Sequence, residues 1–132
     1  MSYFHHESLD VYQSAIEFVV VADRITTSLP RGRSYIAEQF RRAAASIALN
    51  IAEGAGEFSP GEKGRFYRIA RRSATECTAI LDVCQRLELG TPQNFEDSRE
   101  LLHRIISMLT RLTQVHSGTE TETGTETGRK TA

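Results

Sequence analysis

Residues 39–54 read Gln39-Phe40-Arg41-Arg42-Ala43-Ala44-Ala45-Ser46-Ile47-Ala48-Leu49-Asn50-Ile51-Ala52-Glu53-Gly54, and this stretch decides the fold class. Ile36, Phe40, Ala43, Ile47 and Ile51 recur at three- and four-residue intervals, with Ala44 and Ala48 broadening the stripe. That period places them on one face of an α-helix. Ser34 is the expected N-cap, and Gly54-Ala55-Gly56 the expected stop, for a helix over residues 34–53. Beside the apolar stripe runs a polar one, made of Gln39, Arg42, Ser46, Asn50 and Glu53. Small residues on or beside it, Ala43, Ala45 and Ala48, admit close approach of another helix.

Three further helices are expected around this one. The first covers residues 7–27 and carries apolar residues on two sides. Leu9, Tyr12, Ile16, Val19, Val20 and, less well aligned, Asp23 make one side; Val11, Ala15, Phe18, Ala22 and Ile25 make the other. A surface helix ordinarily has one apolar stripe, so the second side predicts burial beyond a single bundle. Ser28-Leu29-Pro30-Arg31-Gly32 ends it, since Pro30 biases Leu29 away from helix. The next helix starts after Ser59-Pro60, with Ser59 as cap, Pro60 at the first helical position and Glu62 completing a capping box. It is expected to reach residue 89, with Phe66, Ile69, Ala70, Ser73, Cys77, Ile80, Leu81, Cys84 and Leu87 on its inner face. Gly90-Thr91-Pro92 closes it. The last helix spans residues 94–115 and presents Leu101, Leu102, Ile105, Met108, Leu109 and Leu112. No strand-period run interrupts this pattern. Short connections make successive helices antiparallel, so the expected fold is all-α: an up-down-up-down four-helix bundle over residues 1–116. Residues 117–132 are rich in Thr, Glu and Gly and poor in apolar residues, which predicts a disordered tail.

Charge and composition narrow the function classes. The 132 residues include 16 Lys and Arg against 17 Asp and Glu, a net charge of −1, which excludes a bulk polycation that coats nucleic acid by charge alone. The N-terminal residues show no secretory pattern, and the longest apolar run, residues 18–22, is too short to span a bilayer. A cytoplasmic protein with no membrane association is expected. Cys77 and Cys84 lie two turns apart on one helical face, roughly 10 Å along the axis, too far for a mutual disulfide. They read as small core residues of a reducing compartment.

Chemistry-bearing motifs are few. No phosphate-binding loop, nucleotide fingerprint or nucleophile motif is present, so no catalytic residue, cofactor or small-molecule substrate is expected. His5 and His6 lack a spaced third ligand, and Glu100 with His103 supplies a Glu-x-x-His pair only once, so no metal site is expected. The polar stripe, with Gln39, Ser46, Asn50 and Glu53 as its interface candidates, has two readings: a hydrogen-bonded seam between helices, within one chain or between subunits, or a ligand or nucleic-acid contact. Residues 63–72 carry five basic residues and no acidic one. Arg65, Arg68 and Arg72 share a helical face there, and Arg41 and Arg42 extend it if the two helices are neighbours. Arginine grips phosphate bidentately, and Tyr67 beside them is of a type that stacks on bases. These five arginines are the candidates for RNA or DNA contact; the competing reading is a solvated face ion-paired with Glu38, Glu53, Glu57 and Glu76.

The same residues resemble a family. Leu9-Asp10-Val11-Tyr12, Leu29-Pro30, the whole run over residues 39–54, Arg65-Phe66, Ile69-Ala70, Ser73 and Glu76 are similar to the four-helix-bundle proteins encoded in intervening sequences of bacterial 23S rRNA genes. The resemblance covers most of residues 8–112, and its most specific part is Ser46-Ile47-x-x-Asn50-Ile51-Ala52-Glu53-Gly54. It implies an up-down-up-down bundle that assembles as a homopentamer, with no established reaction. A related branch, the accessory proteins of diversity-generating retroelements, binds nucleic acid and a reverse transcriptase and is strongly basic, which this chain is not. Arg72 stands where the family usually has Gly. Two functions follow as expectations: a non-enzymatic oligomer associated with RNA or another nucleic acid, or a protein–protein interaction scaffold with no nucleic-acid role.

Overall fold

The computed structural model describes residues 4–125, with side chains described from residue 4 to residue 116. Four helices follow one another: α1 (Asp10–Thr27), α2 (Ser34–Ala55), α3 (Pro60–Arg86) and α4 (Pro92–Thr125). No strand occurs among the described residues. Each helix packs on its neighbours in sequence, and α1 closes the ring against α4. The cross-helix pairs run in opposite directions: Ser46 meets Ser73, Lys63 meets Gly54, Arg71 meets Thr113 and Arg99 meets Asp82. The expected antiparallel four-helix arrangement is therefore present. None of the described helices is long and apolar enough to cross a membrane.

The core forms where the apolar periods converge. On α2, Ile36, Phe40, Ala43, Ala44, Ile47, Ala48 and Ile51 are all buried, as the opening stretch predicts. On α1 the two apolar sides separate. Val11, Ala15, Phe18, Ala22 and Ile25 enter the core, where Phe18 lies 5.9 Å from Phe40 between ring centroids. Leu9, Tyr12 and Val19 are half-buried, while Ile16 and Val20 keep 39% and 45% of their surface exposed. On α4, Leu101, Leu102, Ile105 and Leu109 are buried, joined by Phe95.

Several boundaries differ from expectation for local reasons. α1 begins at Asp10, because His5–Ser8 forms a separate 3-10 turn and Leu9 is extended. Ser34 is the first residue of α2 rather than its cap. Arg33 holds the cap position, and its carbonyl accepts from the Ile36 and Ala37 amides. Ser59 does cap α3, its hydroxyl accepting from the Glu62 amide at 3.1 Å with Pro60 in the first turn. The Glu62 carboxylate accepts from Arg65, so the expected box is seen only in its Ser59 half. α3 stops at Arg86 because Glu88 adopts a left-handed φ of 59°. The Leu89 amide then reaches back to the Cys84 carbonyl at 2.8 Å, and the Glu88 amide to Gln85 at 3.0 Å, as in a Schellman motif. α4 starts at Pro92, with the Thr91 hydroxyl accepting from the Asn94 amide. The tail expected over residues 117–132 falls on positions whose side chains, and from 126 onward whose backbone, lie outside the described residues.

The inner face of α3 is turned from the one expected. Phe66, Ile69 and Ser73 are half-buried and Leu87 is exposed, whereas Gly64, Tyr67 and Ala74 join Ala70, Cys77, Ile80, Leu81 and Cys84 inside. Gly54 on α2 makes room for this rotation. A Cβ built on Gly54 would sit 2.8 Å from Tyr67 Cε1 and 3.2 Å from Phe66 Cβ.

Candidate interface and nucleic-acid surfaces

The polar stripe of α2 resolves into a seam inside the chain. Ser46 and Ser73 hydroxyls are 2.8 Å apart, and the Asn50 amide nitrogen donates to the Ser46 carbonyl at 2.9 Å and to its hydroxyl at 3.0 Å. Small neighbours (half-buried Ala45, buried Ala43 and Ala70) let the two helices come close enough for hydroxyls to touch. Half-buried hydroxyls that bond each other cost little desolvation and fix the register of α2 on α3. Gln39 and Glu53, placed in the same stripe by periodicity, are exposed and lie outside this network. Gln39 instead borders a groove with Tyr35, Ile36, Ile80 and Val83. Ser73 is the partner that sequence reading did not pair with Ser46, although it stood on the expected inner face of α3.

The arginines do not form one continuous stripe. Arg41 and Arg42 are 100° apart on α2. Arg41 turns toward α1, with its Nε 3.9 Å from an Asp23 carboxylate oxygen, both side chains at least half exposed. Arg42 is exposed. On α3, Arg65 donates from Nε and Nη2 to one Glu62 oxygen at 3.2 Å, and its guanidinium lies 4.4 Å from the Phe66 ring centre. Such exposed pairs hold weakly and exchange readily for another anion. Arg72 is exposed, whereas Arg68 is half-buried where α3 meets α4, beside Gly64. Arg65 and Arg72 therefore remain outward-facing on α3, with Arg68 between them.

Other cations and the aromatic of this segment serve the fold. Lys63 donates to the Gly54 and Ala55 carbonyls at 3.2 and 3.1 Å, capping the negative end of α2. Arg71 donates to the Thr113 hydroxyl at 3.2 Å, tying α3 to α4. Tyr67 is 3% exposed, and burial pushes its phenol pKa up. It packs 5.6 Å from the His116 ring and is not presented for stacking on a base. His116 is lowered from its ordinary value by desolvation and, secondarily, by the Lys63 charge. The described residues contain no group of three or more His, Cys, Asp or Glu side chains arranged to hold a metal ion.

A second surface is apolar. Leu49 on the outer side of α2 keeps 65% of its area exposed, and Ile16 and Val20 of α1 are exposed as well. Phe58, at the α2–α3 turn, is 99% exposed.

Comparison with known proteins follows the same outline. The family model described as "23S rRNA-intervening sequence protein" matches residues 7–111. A solved structure from Bacteroides thetaiotaomicron VPI-5482, a protein of unknown function from the S23 ribosomal protein family, superposes with a TM-score of 0.73. It is 23% identical, and the alignment covers 78% of this chain and 97% of that one, which establishes a shared fold. No curated protein matches the chain significantly.

Proposed function

The chain belongs to the 23S rRNA-intervening sequence protein family, and from that premise we propose that it acts without catalysis, as a self-associating cytoplasmic four-helix unit that engages RNA. The observation that carries the RNA reading is the outward placement of Arg65 and Arg72 on α3, with Arg42 exposed on the adjoining helix. Arg65 pairs with Glu62 in an exposed ion pair, which a phosphate displaces at little cost. Self-association is supported by the apolar residues Ile16, Val20 and Leu49 left in solvent. The homopentamer implied by the family resemblance is the assembly proposed.

The experiment is a mass measurement in solution combined with RNA titration at several salt concentrations. The expected result is a pentamer whose affinity falls steeply with salt. Replacing Arg65 and Arg72 together by Gln is expected to flatten the log–log salt slope by ~1–2. An intact oligomer with no salt-sensitive RNA binding removes the RNA reading. It would leave the second reading, a protein scaffold, which the exposed Ile16, Val20 and Leu49 favour. Nuclease-insensitive capture of a partner, lost on changing Leu49 to Glu, would then be expected.

A further inference from the structure

The connection between α1 and α2 borders an open pocket of about 340 Å³ at one end of the bundle. Arg31, Arg33 and Arg41 are among the residues that line it, and no acidic residue is. Three like charges around one pocket raise the local positive potential and favour an anion there. Asp23 meets Arg41 through Nε at 3.9 Å, with both side chains at least half exposed. Arg33 is steadied by donating from Nη1 to the Tyr35 hydroxyl at 3.3 Å. Arg31 has no ion-pair partner among the described residues.

The backbone adds to the same field. α2 starts at this cavity with no side-chain cap and no acidic residue in its first turn. The partial positive charge of a helix start is therefore uncompensated on the side where Ser34 lines the cavity. Gly32, at φ 96°, turns the chain there, and a Cβ on it would meet nothing within 4 Å. Leu29, Pro30 and Ala37 add apolar lining. The volume falls in the range of small-ligand pockets, ~300–1,000 Å³, well beyond what a bare phosphate fills.

We propose that this cavity binds a phosphomonoester, with its dianionic phosphate held by Arg31, Arg33 and Arg41 and a small organic group resting on Leu29 and Pro30. Planar guanidiniums match phosphate oxygens bidentately, and the helix start supplies a further favourable field. The site contains none of Arg42, Arg65 and Arg72, and only Arg41 of the five arginines first considered for nucleic-acid contact, so it does not rest on the RNA reading.

The test is calorimetric titration of the full chain at low salt with inorganic phosphate, adenosine 5′-monophosphate and adenosine. Phosphate and the monophosphate are expected to bind, the monophosphate more tightly, and adenosine not to bind. Changing Arg31 and Arg33 together to Gln is expected to weaken the monophosphate by ~10-fold or more, since each contributes a charge-assisted hydrogen bond. Arg31→Gln alone provides a milder variant, and the urea midpoint of each checks the fold. Arg86→Gln, an exposed charge outside the cavity, is expected to leave binding within twofold of the parent. Arg65→Gln with Arg72→Gln is likewise expected to leave it unchanged, so failure here and failure of the RNA reading are distinguishable. Tighter binding of a 5′-phosphorylated oligonucleotide than of its 5′-hydroxyl counterpart would assign the phosphate to a nucleic-acid end; equal binding of the two would assign it to a free small molecule. Absence of phosphate and monophosphate binding, adenosine binding as tightly as its monophosphate, or equal loss in Arg86→Gln each overturns the proposal.

Discussion

Two residues at helix ends carry opposite demands on the backbone. At Gly54, alanine gains ~1 kcal/mol of helix propensity. Its Cβ, however, would lie 2.8 Å from Tyr67 Cε1 and 3.2 Å from Phe66 Cβ. The tyrosine is buried and the Phe66 Cβ is fixed to its backbone, so neither retreats freely, and overpacking of this kind costs ~1–3 kcal/mol. The steric loss outweighs the propensity gain, and Gly54→Ala is expected to be less stable by about 1 kcal/mol in urea unfolding. A variant as stable as the parent would show that α3 is free to slide at this point. At Glu88 the demand reverses. A left-handed residue with a Cβ costs ~1–2 kcal/mol, and the two Schellman bonds require that conformation. Glu88→Gly is therefore expected to raise stability by ~1 kcal/mol. An unchanged urea midpoint would mean that the Glu88 side chain contributes an interaction of equal size.

Helix existence is legible in the sequence where periodicity is strong, and helix detail is lost where a distant residue decides it. The α2 stripe is buried as read, and Ser59 with Pro60 marks the start of α3, because both signals are local. The rotated face of α3 is not local: Tyr67 is inside because Gly54, on another helix, lacks a side chain. Lys63 and Arg71 read as part of a basic segment, yet their partners are carbonyls of α2 and a hydroxyl of α4. The α3–α4 contact also sets a pH dependence. His116 packs on Tyr67 and Gly64, with Lys63 and Arg68 as the charges near it, and its pKa is lowered from the ordinary 6.5, by desolvation first. The folded chain thus resists a proton that the unfolded chain accepts. Stability is full above the ordinary value and is lost as pH falls through the lower folded one. The urea midpoint is expected to drop as pH falls below about 6.5, and His116→Gln to reduce that drop. Equal slopes in both proteins would place the titration elsewhere.

At the scale of the whole molecule, the bundle was legible because four apolar stripes and short connections leave one simple way to bury them. Beyond the single bundle the sequence offers only an excess: the second apolar side of α1, whose Ile16 and Val20 a single chain leaves in solvent, as the proposed self-association would require. The two thiols give a way to test how the core and the assembly are coupled. Cys77 and Cys84 are both free and fully buried. Burial, with a smaller contribution from Glu76, pushes the Cys77 thiol up to about 12, and burial raises Cys84 as well. The thiolate is the reactive form, so the native protein is expected to leave a disulfide reagent almost untouched near neutral pH. Both residues belong to one core contributed by all four helices, and Cys84, in the last turn of α3, is held there by the bond from the Leu89 amide to its carbonyl. Labelling in increasing urea is therefore expected to expose the two thiols together, at the midpoint where helical circular dichroism is lost. If self-association stabilises the bundle, that common midpoint rises with protein concentration, because the associated state binds only folded chains. Early labelling of one thiol would split the core into separately opening parts, and a midpoint independent of concentration would argue against an assembly built on the α1 face.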